Sequence, residues 1–290
     1  MTRQLHCGRF SFALDGPDAL HPVVMGILNT TPDSFSDGGR YAGLEHALNH
    51  AETMIRDGAT MIDIGGESTR PGSPGVALAE ELRRVMPTLY ALRTLDVALS
   101  VDTCKPEVMR EALIAGADMI NDVNGFRAPG AIDAVLDSDC GLCVMHMQAS
   151  PQTMQQAPAY DDVVGEVIAF LRERVEALRA AGIARERICV DPGFGFGKTV
   201  EHNYTLLREL ARLRDELDCP VLAGMSRKSM IGAVTGRPVE ARTAGSVGAA
   251  LAAVAHGARI VRVHDVAETV DALKVWHAAT QGIVAPSVTK

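Results

Sequence analysis

The sequence alternates short runs of β-branched and other apolar residues with longer segments of helical periodicity. Eight runs have the length of strands, at residues 23–28, 60–65, 97–102, 118–123, 141–146, 187–192, 220–224 and 259–264. Helical segments follow them at 44–57, 78–95, 106–115, 132–137, 161–180, 201–216, 244–256 and 266–279. Eight strands, each followed by a helix, predict an α/β fold of the (β/α)8 TIM barrel type.

The 290 residues are enough for a single barrel, and no linker rich in Pro, Gly or Ser interrupts the repeats. We therefore expect one domain, with a short N-terminal β cap within residues 1–22, the barrel at 23–282 and a tail at 283–290. The main alternative is a doubly wound open sheet, which normally carries a G-x-G-x-x-G turn after an early strand. The nearest match, GFGFGK at 193–198, follows the sixth predicted strand and lacks that spacing.

Composition and charge limit the classes of protein that fit this chain. Hydrophobic residues make up 47% of it, and the net charge of −8 argues against a general nucleic-acid surface. The first residues, MTRQLHCGRF, lack the apolar stretch of a signal peptide, and no apolar run approaches the ~20 residues of a membrane span. We expect a cytoplasmic protein without nucleic-acid or membrane partners. Its six cysteines are interpreted as reduced and packed, since the pair Cys140 and Cys143 has no second pair to complete a zinc site.

Polar residues come at the end of every predicted strand. In a (β/α)8 barrel, the C-terminal ends of the strands and the loops that follow them form the active site. Because all eight ends carry hydrogen-bonding or charged groups, the sequence predicts a polar ligand site there. These residues are Asn29; Glu67, Thr69 and Arg70; Asp102; Asn121 and Asp122; His146; Asp191; Ser226, Arg227 and Lys228; Arg262 and His264.

Four of these residues have the donors and acceptors that suit a flat heterocycle. Asp102 and Asp191 offer carboxylate acceptors, Asn121 an amide, and Lys228 an ammonium donor. A guanine-like or pterin-like ring fits this set, because its amidine-type edge donates to carboxylates while its carbonyl and ring nitrogens accept from a lysine. A single Asp at a strand end is more often a helix N-cap or part of an ion pair, so the interpretation depends on the four occurring together.

A second group, Asn29, Arg70, Arg262 and His264, is rich in donors for an anion. TIM barrels commonly bind phosphate near the last two strands, and Arg binds phosphate through two parallel hydrogen bonds. Arg262 and His264 alternate with valines, so both are expected to point into the barrel mouth, where unpaired cations favour an anionic ligand. Two loops are long enough to close over a substrate: TPDSFSDGGR, which carries Phe35, and STRPGSPG.

Most of the sequence closely resembles the dihydropteroate synthase family. The motifs that carry the resemblance occur in the family's order, and they are MGILNTTPDSFSDGGRY, IDIGGESTRPGS, SVDTCKPEVMREALIAGADMINDV, VMHMQASPQTMQ, VDPGFGFGKTVEHN, AGMSRKSMIG, RTAGSVGAALAAVAHGARIVRVHDVAET and LKVW. Two small departures are Thr30, where the family pattern has Val, and Ala149 with Ser150, where it has Gly-Thr.

This resemblance implies a transferase that condenses 6-hydroxymethyl-7,8-dihydropterin diphosphate with 4-aminobenzoate. The products would be 7,8-dihydropteroate and pyrophosphate, with Mg2+ as the cofactor. The family's homodimer would also account for the apolar, small-residue segment at 244–256.

The resemblance also implies roles for site residues. The pterin would be held by Asp102, Asn121, Asp191 and Lys228, with Met145 and Phe196 lining its pocket. The diphosphate would be held by Asn29, Arg70, Arg262 and His264, with Asn29 also reaching the metal. The 4-aminobenzoate would be framed by Phe35, Thr69, Pro71 and Ser226, with its carboxylate near a helix that starts around Ser226.

With these roles the residues predict an SN1-like path. Arg262, His264 and Mg2+ would stabilise the departing pyrophosphate as the C–O bond breaks. Asp102 and Asp37 would offset the positive charge on the pterin methylene, which the amine then attacks. The sequence offers no Ser-His-Asp or Cys-His nucleophile for a covalent intermediate.

Two other functions fit parts of the pattern. A pterin-binding methyltransferase domain shares the barrel and the Asp, Asn, Asp set, but it would lack the Thr-Arg loop, Lys228 and the Arg-x-His pair. A non-catalytic pterin-binding paralogue would have lost a loop or a diphosphate residue, and none is lost in this sequence.

Overall fold

The structure is a computed structural model that describes residues 4–15, 22–30, 39–68, 72–148, 154 and 158–282. The first described residues form a hairpin of strands β1 (Gln4–Cys7) and β2 (Phe10–Ala13). Eight parallel strands follow, and all eight predicted runs are confirmed, with ends that differ by no more than two residues. They are β3 (Val23–Asn29), β4 (Met61–Gly65), β5 (Ala98–Asp102), β6 (Met119–Asp122), β7 (Gly141–Met145), β8 (Ile188–Asp191), β9 (Leu222–Ala223) and β10 (Ile260–Val263).

The parallel strands form one sheet in the order β8-β7-β6-β5-β4-β3-β10-β9. A single bridge between Val190 and Val221 joins its two edges, supported by a hydrogen bond of 2.9 Å from the Val190 N–H to the Pro220 carbonyl. The sheet is therefore the predicted (β/α)8 barrel, and all eight C-terminal strand ends lie at the same opening. We call this opening the mouth and the opposite end the floor.

Ten helices surround the described part of the barrel: α1 (Gly39–Arg56), α2 (Leu78–Leu92), α3 (Pro106–Ile114), α4 (Ala131–Val135), α5 (Val163–Ala180), α6 (Val200–Arg208), α7 (Leu210–Leu217), α8 (Ser229–Thr235), α9 (Thr243–Ala255) and α10 (Val266–Gln281). Helix α5 shows why they form. The Asp162 side chain caps its first turn, accepting from the Gly165 N–H at 3.1 Å, and buried Val167, Leu171 and Val175 recur every four residues.

One helix prediction was wrong, and two helices start at other residues than predicted, the first being α1, which begins at Gly39 and not at residue 44. The segment 201–216 is two helices, because the backbone at Glu209 (φ −96°, ψ 14°) leaves the helical conformation. The helix expected near Ser226 starts three residues later, as α8 at Ser229, because Arg227 has a left-handed φ of 58° that a helix cannot include.

Side chains alternate across the barrel wall, which gives the molecule two main cores. One lies between the strands and the surrounding helices, and it contains Val85, Leu89 and Leu171. The other fills the floor inside the barrel with Met25, Met61, Ala98, Met119, Cys143, Cys189, Leu222 and Ile260. Among the described residues, the floor is therefore closed by packed apolar and thiol groups, which leaves the mouth as the opening for a ligand.

The β1–β2 hairpin covers the floor, which confirms the predicted N-terminal β cap. Leu5, Cys7 and Leu14 pack into the floor core. Arg9 binds the buried Asp118 through Nε at 2.9 Å and Nη2 at 2.8 Å. The domain boundaries at residues 22 and 282 stay a prediction. Among the described residues, no helix has both the length and the apolar composition that crossing a bilayer requires.

Candidate active site

The mouth brings together four of the residues predicted to bind a ligand. Asp102 ends β5, Asn121 lies on β6, Asp191 ends β8 and Arg262 lies on β10. The three acidic or amide side chains are no more than 7% exposed. A Cβ placed on Gly224, between β9 and the loop that follows, would lie 3.7 Å from Arg262 Cβ and 3.8 Å from Asp191 Oδ2. The strand ends therefore place these groups around one shared space.

Asp63, a residue that the sequence analysis did not single out, connects this group. It lies on β4 and is fully buried. Its Oδ2 accepts from Arg262 Nε at 2.6 Å and from Asn121 Nδ2 at 3.2 Å, and its Oδ1 accepts from Ser100 Oγ at 2.6 Å. Arg262 Nη2 also donates to Asp102 Oδ2 at 3.1 Å. The arginine expected to hold the diphosphate thus contacts Asp102, which was expected to hold the pterin, and is linked through Asp63 to a second such residue, Asn121.

The pairing of Arg262 corrects one step of the sequence argument. The expectation that Arg262 would be an unpaired cation without an anionic ligand is wrong, because Asp63 and Asp102 already bind it. Across the described residues, every fully buried side-chain nitrogen or oxygen has a hydrogen-bond partner. An anionic ligand would therefore compete with these carboxylates for the guanidinium, or share it with them.

Burial and neighbouring charges shift the pKa values of this group. Burial and the Asp63 carboxylate raise the pKa of Asp102 to about 7, against the opposing effect of Arg262. Burial also raises the pKa of Asp191, while the nearby Lys228 ammonium lowers it. Burial acts to lower the pKa of Arg262, but the Asp63 and Asp102 carboxylates raise it overall. Perturbed acids in a concave site are typical of functional centres.

Lys228 lies between the turn after β8 and the acids of the mouth. Its Nζ donates to the Phe194 carbonyl at 2.6 Å and lies 4.6 Å from the centre of the Phe196 ring. Burial lowers the pKa of Lys228 to about 8, although Asp191 acts to raise it. A cation held by one carbonyl and one aromatic face keeps N–H groups for a ligand.

The two apolar residues expected to line the pterin pocket lie in one cluster. Met145 and Phe196 are 3% and 8% exposed. They pack with three further side chains, Val123, Met147 and Met154, beside the polar group of the mouth. This cluster provides an apolar, water-excluding surface of the kind that a ring system needs.

Three further predicted residues lie on the β3, β9 and β10 side of the mouth. Ser226 Oγ lies 3.1 Å from His264 Nδ1 and accepts from the His264 backbone N–H at 3.2 Å. Asn29 ends β3 with an exposed side chain, and its Oδ1 lies 3.8 Å from the point where a β-carbon on Gly65 would stand. The structure thus brings Ser226 and His264 together and leaves Asn29 accessible at the mouth.

The remaining residues at strand ends have contacts away from the shared space. Asp122 accepts from the Asn124 and Phe126 N–H groups at 2.7 and 2.6 Å, so it caps a turn. Arg227 binds Asp265 at 3.1 Å, and Glu67 pairs with Lys105. The predicted site residues Phe35, Asp37, Thr69, Arg70 and Pro71 lie outside the described residues.

His146, at the end of β7, leads to a second residue that the sequence analysis missed. Its Nδ1 lies 2.9 Å from Nζ of Lys198, which is 3% exposed. Lys198 belongs to the quoted VDPGFGFGKTVEHN motif, but no spacing rule predicts that its side chain turns inward.

The geometry supports binding of a polar ring with an attached anion. Asp102, Asn121 and Asp191 supply acceptors, and Lys228 and Arg262 supply donors, in a space closed below by the floor. Within the described ranges, no three His, Cys, Asp or Glu side chains are grouped to hold a metal ion. A metal at this mouth would need ligands from a substrate or from water as well as from the protein.

Comparison with known proteins agrees with this geometry. Residues 25–264 match the family model for a pterin binding enzyme. The chain is 51% identical to dihydropteroate synthase of Escherichia coli strain K12 over 262 residues, which covers 90% of this chain and 93% of that protein.

Solved structures give the same result. Dihydropteroate synthase of Burkholderia cenocepacia, complexed with 7,8-dihydropteroate, matches with a TM-score of 0.86 and 56% identity over 97% of each chain. Dihydropteroate synthase of Xanthomonas albilineans with 4-aminobenzoic acid matches with a TM-score of 0.89 and 51% identity, over 98% of this chain and 100% of that one. The chain therefore belongs to the pterin-binding enzyme family and, within it, to the dihydropteroate synthases.

Proposed function

We propose that the chain condenses 6-hydroxymethyl-7,8-dihydropterin diphosphate with 4-aminobenzoate to give 7,8-dihydropteroate and pyrophosphate. The observation that carries the proposal is the single contact group of the mouth, in which Arg262 binds Asp63 and Asp102 while Asp63 binds Asn121. This group connects the side chains suited to bind a pterin with the cation suited to bind a diphosphate. The proposed product, 7,8-dihydropteroate, and the proposed substrate, 4-aminobenzoic acid, are each bound in the structure of a related enzyme.

The pterin would lie over the Met145 and Phe196 surface. Its amidine-type edge would donate to Asp191 and Asp102, Asn121 would serve one donor and one acceptor, and Lys228 would donate to a ring carbonyl or nitrogen. Asp102 accepts best when ionised, and its raised pKa of about 7 places that change near neutral pH. The pocket therefore binds the ring most tightly when Asp102 is charged and Lys228 is protonated.

The diphosphate would lie above Arg262, between His264 and Asn29, and Arg70 stays a predicted contact. Arg262 carries a permanent charge, and its two carboxylate partners fix the direction of its guanidinium. The Ser226 hydroxyl, 3.1 Å from His264 Nδ1, holds that ring at the same side. These donors would stabilise the negative charge that grows on the leaving pyrophosphate.

The residues also fit a magnesium ion that arrives with the diphosphate. Mg2+ prefers oxygen ligands and often keeps several waters while it binds one or two protein groups and substrate phosphates. Asn29 offers an amide oxygen at the mouth, in the space left open by the missing side chain of Gly65. When bound, Mg2+ would neutralise part of the charge on the departing pyrophosphate.

The reaction would proceed by an SN1-like path. The bond between the pterin methylene carbon and the diphosphate oxygen breaks, and its electron pair leaves with pyrophosphate. The pterin ring delocalises the positive charge on the methylene, and the Asp102 carboxylate offsets it, with Asp37 as a further predicted group. The nitrogen of 4-aminobenzoate then forms the new C–N bond and releases one proton. Phe35, Thr69, Pro71 and Ser226 stay the predicted contacts of that substrate.

The proposal includes a homodimer. Helix α9 lies between α8 and α10, and its residues Ala244, Gly248 and Ala255 are exposed. On the two neighbouring helices, Val234 of α8 and Val275 of α10 are 61% and 71% exposed. An apolar surface across three helices is suited to a second copy of the chain. Sedimentation velocity should give twice the mass of the chain, and Val275→Glu should lower it.

The proposed location is the cytoplasm. The six cysteines are free, and all but the half-buried Cys104 are buried, which is usual in a reducing compartment.

A coupled assay of pyrophosphate release tests the reaction. Release from the pterin diphosphate should require both 4-aminobenzoate and Mg2+, and dihydropteroate should form in equal amount. Release that ignored 4-aminobenzoate and gave no dihydropteroate would contradict the proposal. Binding of the pterin without any turnover would favour the non-catalytic alternative, and transfer of a folate methyl group would favour the methyltransferase.

A further inference from the structure

Lys198 is a buried lysine to which the proposed reaction assigns no role. Its Nζ donates to the carbonyls of Gly193 and Phe196, each at 3.0 Å, and lies 2.9 Å from His146 Nδ1, which accepts from it when Lys198 is an ammonium group. Because an ammonium group has three N–H donors and no acceptor, these three bonds use all of them. None of the three partners is a carboxylate, so these bonds, with the field of the nearby Asp191 carboxylate, offset the cost of burying the charge.

Two of these bonds fix the turn after β8, residues 193–197. Gly193 and Gly195 have left-handed φ angles of 69° and 80°. A β-carbon on Gly193 would lie 1.9 Å from the His146 carbonyl oxygen, so the turn fits closely against the end of β7. The outer side of the turn is also held by Tyr160, whose OH donates to the Gly197 carbonyl at 2.9 Å.

The inner side of the same turn contacts the pterin residues. The Phe194 carbonyl accepts from Lys228 Nζ at 2.6 Å, and the Phe196 ring lies 4.6 Å from that Nζ. The Gly193 N–H donates to Asp191 Oδ1 at 2.7 Å. A change in the turn would therefore move the partners of both Lys228 and Asp191.

We propose that Lys198 is a positioning residue of the pterin site, which fixes the turn at 193–197 so that Phe194 and Phe196 hold the Lys228 ammonium toward the ring. This inference rests on the proposed function, because it assumes that the ligand at Lys228 is a pterin. Lys198 does not touch the substrate. Its contribution is to keep the turn in one conformation before the ligand arrives, which lowers the cost of ordering on binding.

The test variant is Lys198→Met, which keeps the length of the side chain and removes all three donors. The dissociation constant of 6-hydroxymethylpterin, measured by calorimetry, should rise about tenfold, as expected for the loss of charge-assisted bonds that orient a binding group. In steady-state assays, the KM for the pterin diphosphate should rise similarly, while the KM for 4-aminobenzoate should change less than about twofold.

Arg187→Met is the matched control. Arg187 is a partly buried cation that, like Lys198, donates to two backbone carbonyls, those of Cys140 at 2.8 Å and Val135 at 3.1 Å, but it lies at the floor end of the barrel. Both variants should lower the melting temperature, and only Lys198→Met should weaken pterin binding. Equal pterin affinity in the two variants would overturn the inference.

A double-mutant cycle separates positioning from a general effect on folding. In the Lys228→Met background, adding Lys198→Met should raise the pterin dissociation constant less than about twofold, since the group that it positions is gone. A full tenfold rise in that background would mean that the two lysines act independently, and the inference would be wrong.

Tyr160→Phe keeps the test possible if Lys198→Met does not fold. It removes one hydrogen bond to the same turn, and the pterin dissociation constant should rise about threefold. Unchanged pterin affinity in Tyr160→Phe would contradict positioning by the turn. If the wild-type protein forms no dihydropteroate, the proposed function fails, whereas normal turnover with unchanged pterin affinity in both variants overturns this inference alone.

Discussion

The floor and the mouth of the barrel are built by the same strands, yet their inward-facing residues differ in kind. On four strands, an inward-facing apolar or thiol group at the floor is followed, two residues later on the same face, by a polar or charged group at the mouth. The pairs are Met61 and Asp63 on β4, Met119 and Asn121 on β6, Cys189 and Asp191 on β8, and Ile260 and Arg262 on β10. Residues about 7 Å apart along a strand therefore serve stability and chemistry separately.

The energetic terms at the two ends also differ. The floor gains from burial of apolar surface, which needs no ligand and no particular charge. The mouth holds Asp63, Asp102 and Arg262 out of water, and such buried ion pairs contribute little net stability because desolvation opposes their attraction. Changes at the floor should therefore act through unfolding alone. Changes at the mouth should alter binding and turnover, and they should also lower stability where they remove one partner of a buried ion pair.

The largest expected effect comes from removing the guanidinium of the mouth. Arg262→Ala should reduce kcat/KM for the pterin diphosphate about 10³-fold, because it removes a preorganised donor to the leaving group. Asp191→Ala should instead weaken binding of bare hydroxymethylpterin by about 10-fold to 100-fold, through loss of a charged acceptor. Calorimetry with hydroxymethylpterin separates the two roles. An equal loss of hydroxymethylpterin affinity in both variants would show that the roles are assigned wrongly.

A floor variant should show the opposite result. Met61 is fully buried beneath Asp63, and Met61→Ala should lower the free energy of unfolding by about 2–5 kcal/mol through lost contacts and a cavity. Urea unfolding measures this loss. At a temperature well below the transition, KM for both substrates should match the wild type. A large rise in the pterin KM would mean that floor and mouth are coupled.

Most of the fold could be predicted because strand-length runs and helical segments alternate so regularly. The positions of Asp102, Asn121, Asp191 and Arg262 at the mouth followed from the rule that active-site groups occupy strand ends. Asp63 was also within reach of sequence reasoning. It lies two residues before Gly65 at the end of its strand, on the same face as Met61, and a lone carboxylate in an apolar strand is costly to bury.

Other features depend on tertiary contacts that one sequence does not reveal. The two carboxylates that bind Arg262 lie 160 and 199 residues before it in the chain. Lys198 follows a glycine-rich turn whose left-handed residues decide the direction of its side chain. The left-handed φ of Arg227, which delays the start of α8, has no signal such as Gly or Asn at that position.

Asp63→Asn should have a smaller effect than loss of Arg262, because an amide keeps the shape and one acceptor. We expect kcat/KM for the pterin diphosphate to fall about tenfold at pH 8, since Arg262 loses one of its two charged partners. The pH dependence gives a second readout. The Asp63 charge helps to raise the pKa of Asp102, so its removal should lower that pKa and move the acid limb of kcat/KM to lower pH. An acid limb that stays near pH 7 would exclude this coupling.

The smallest expected effect is a change in the alkaline limb of the pH profile of kcat/KM. In the free enzyme the pKa of Lys228 is lowered to about 8, so the ammonium loses its proton above that pH and kcat/KM should fall. Lys228→Arg keeps a cation beside Phe194 and Phe196, but a guanidinium stays protonated throughout this range. In Lys228→Arg, kcat/KM should therefore not fall until at least one pH unit above the alkaline limb of the wild type. The KM of this variant for the pterin diphosphate should rise, because the guanidinium is larger.

The floor offers the control: Met61→Ala leaves the charges of the mouth in place, so its pH profile should keep both limbs. An unchanged alkaline limb in Lys228→Arg would assign that titration to another group, and the buried Lys198, whose pKa burial lowers to about 7, would be the next to test.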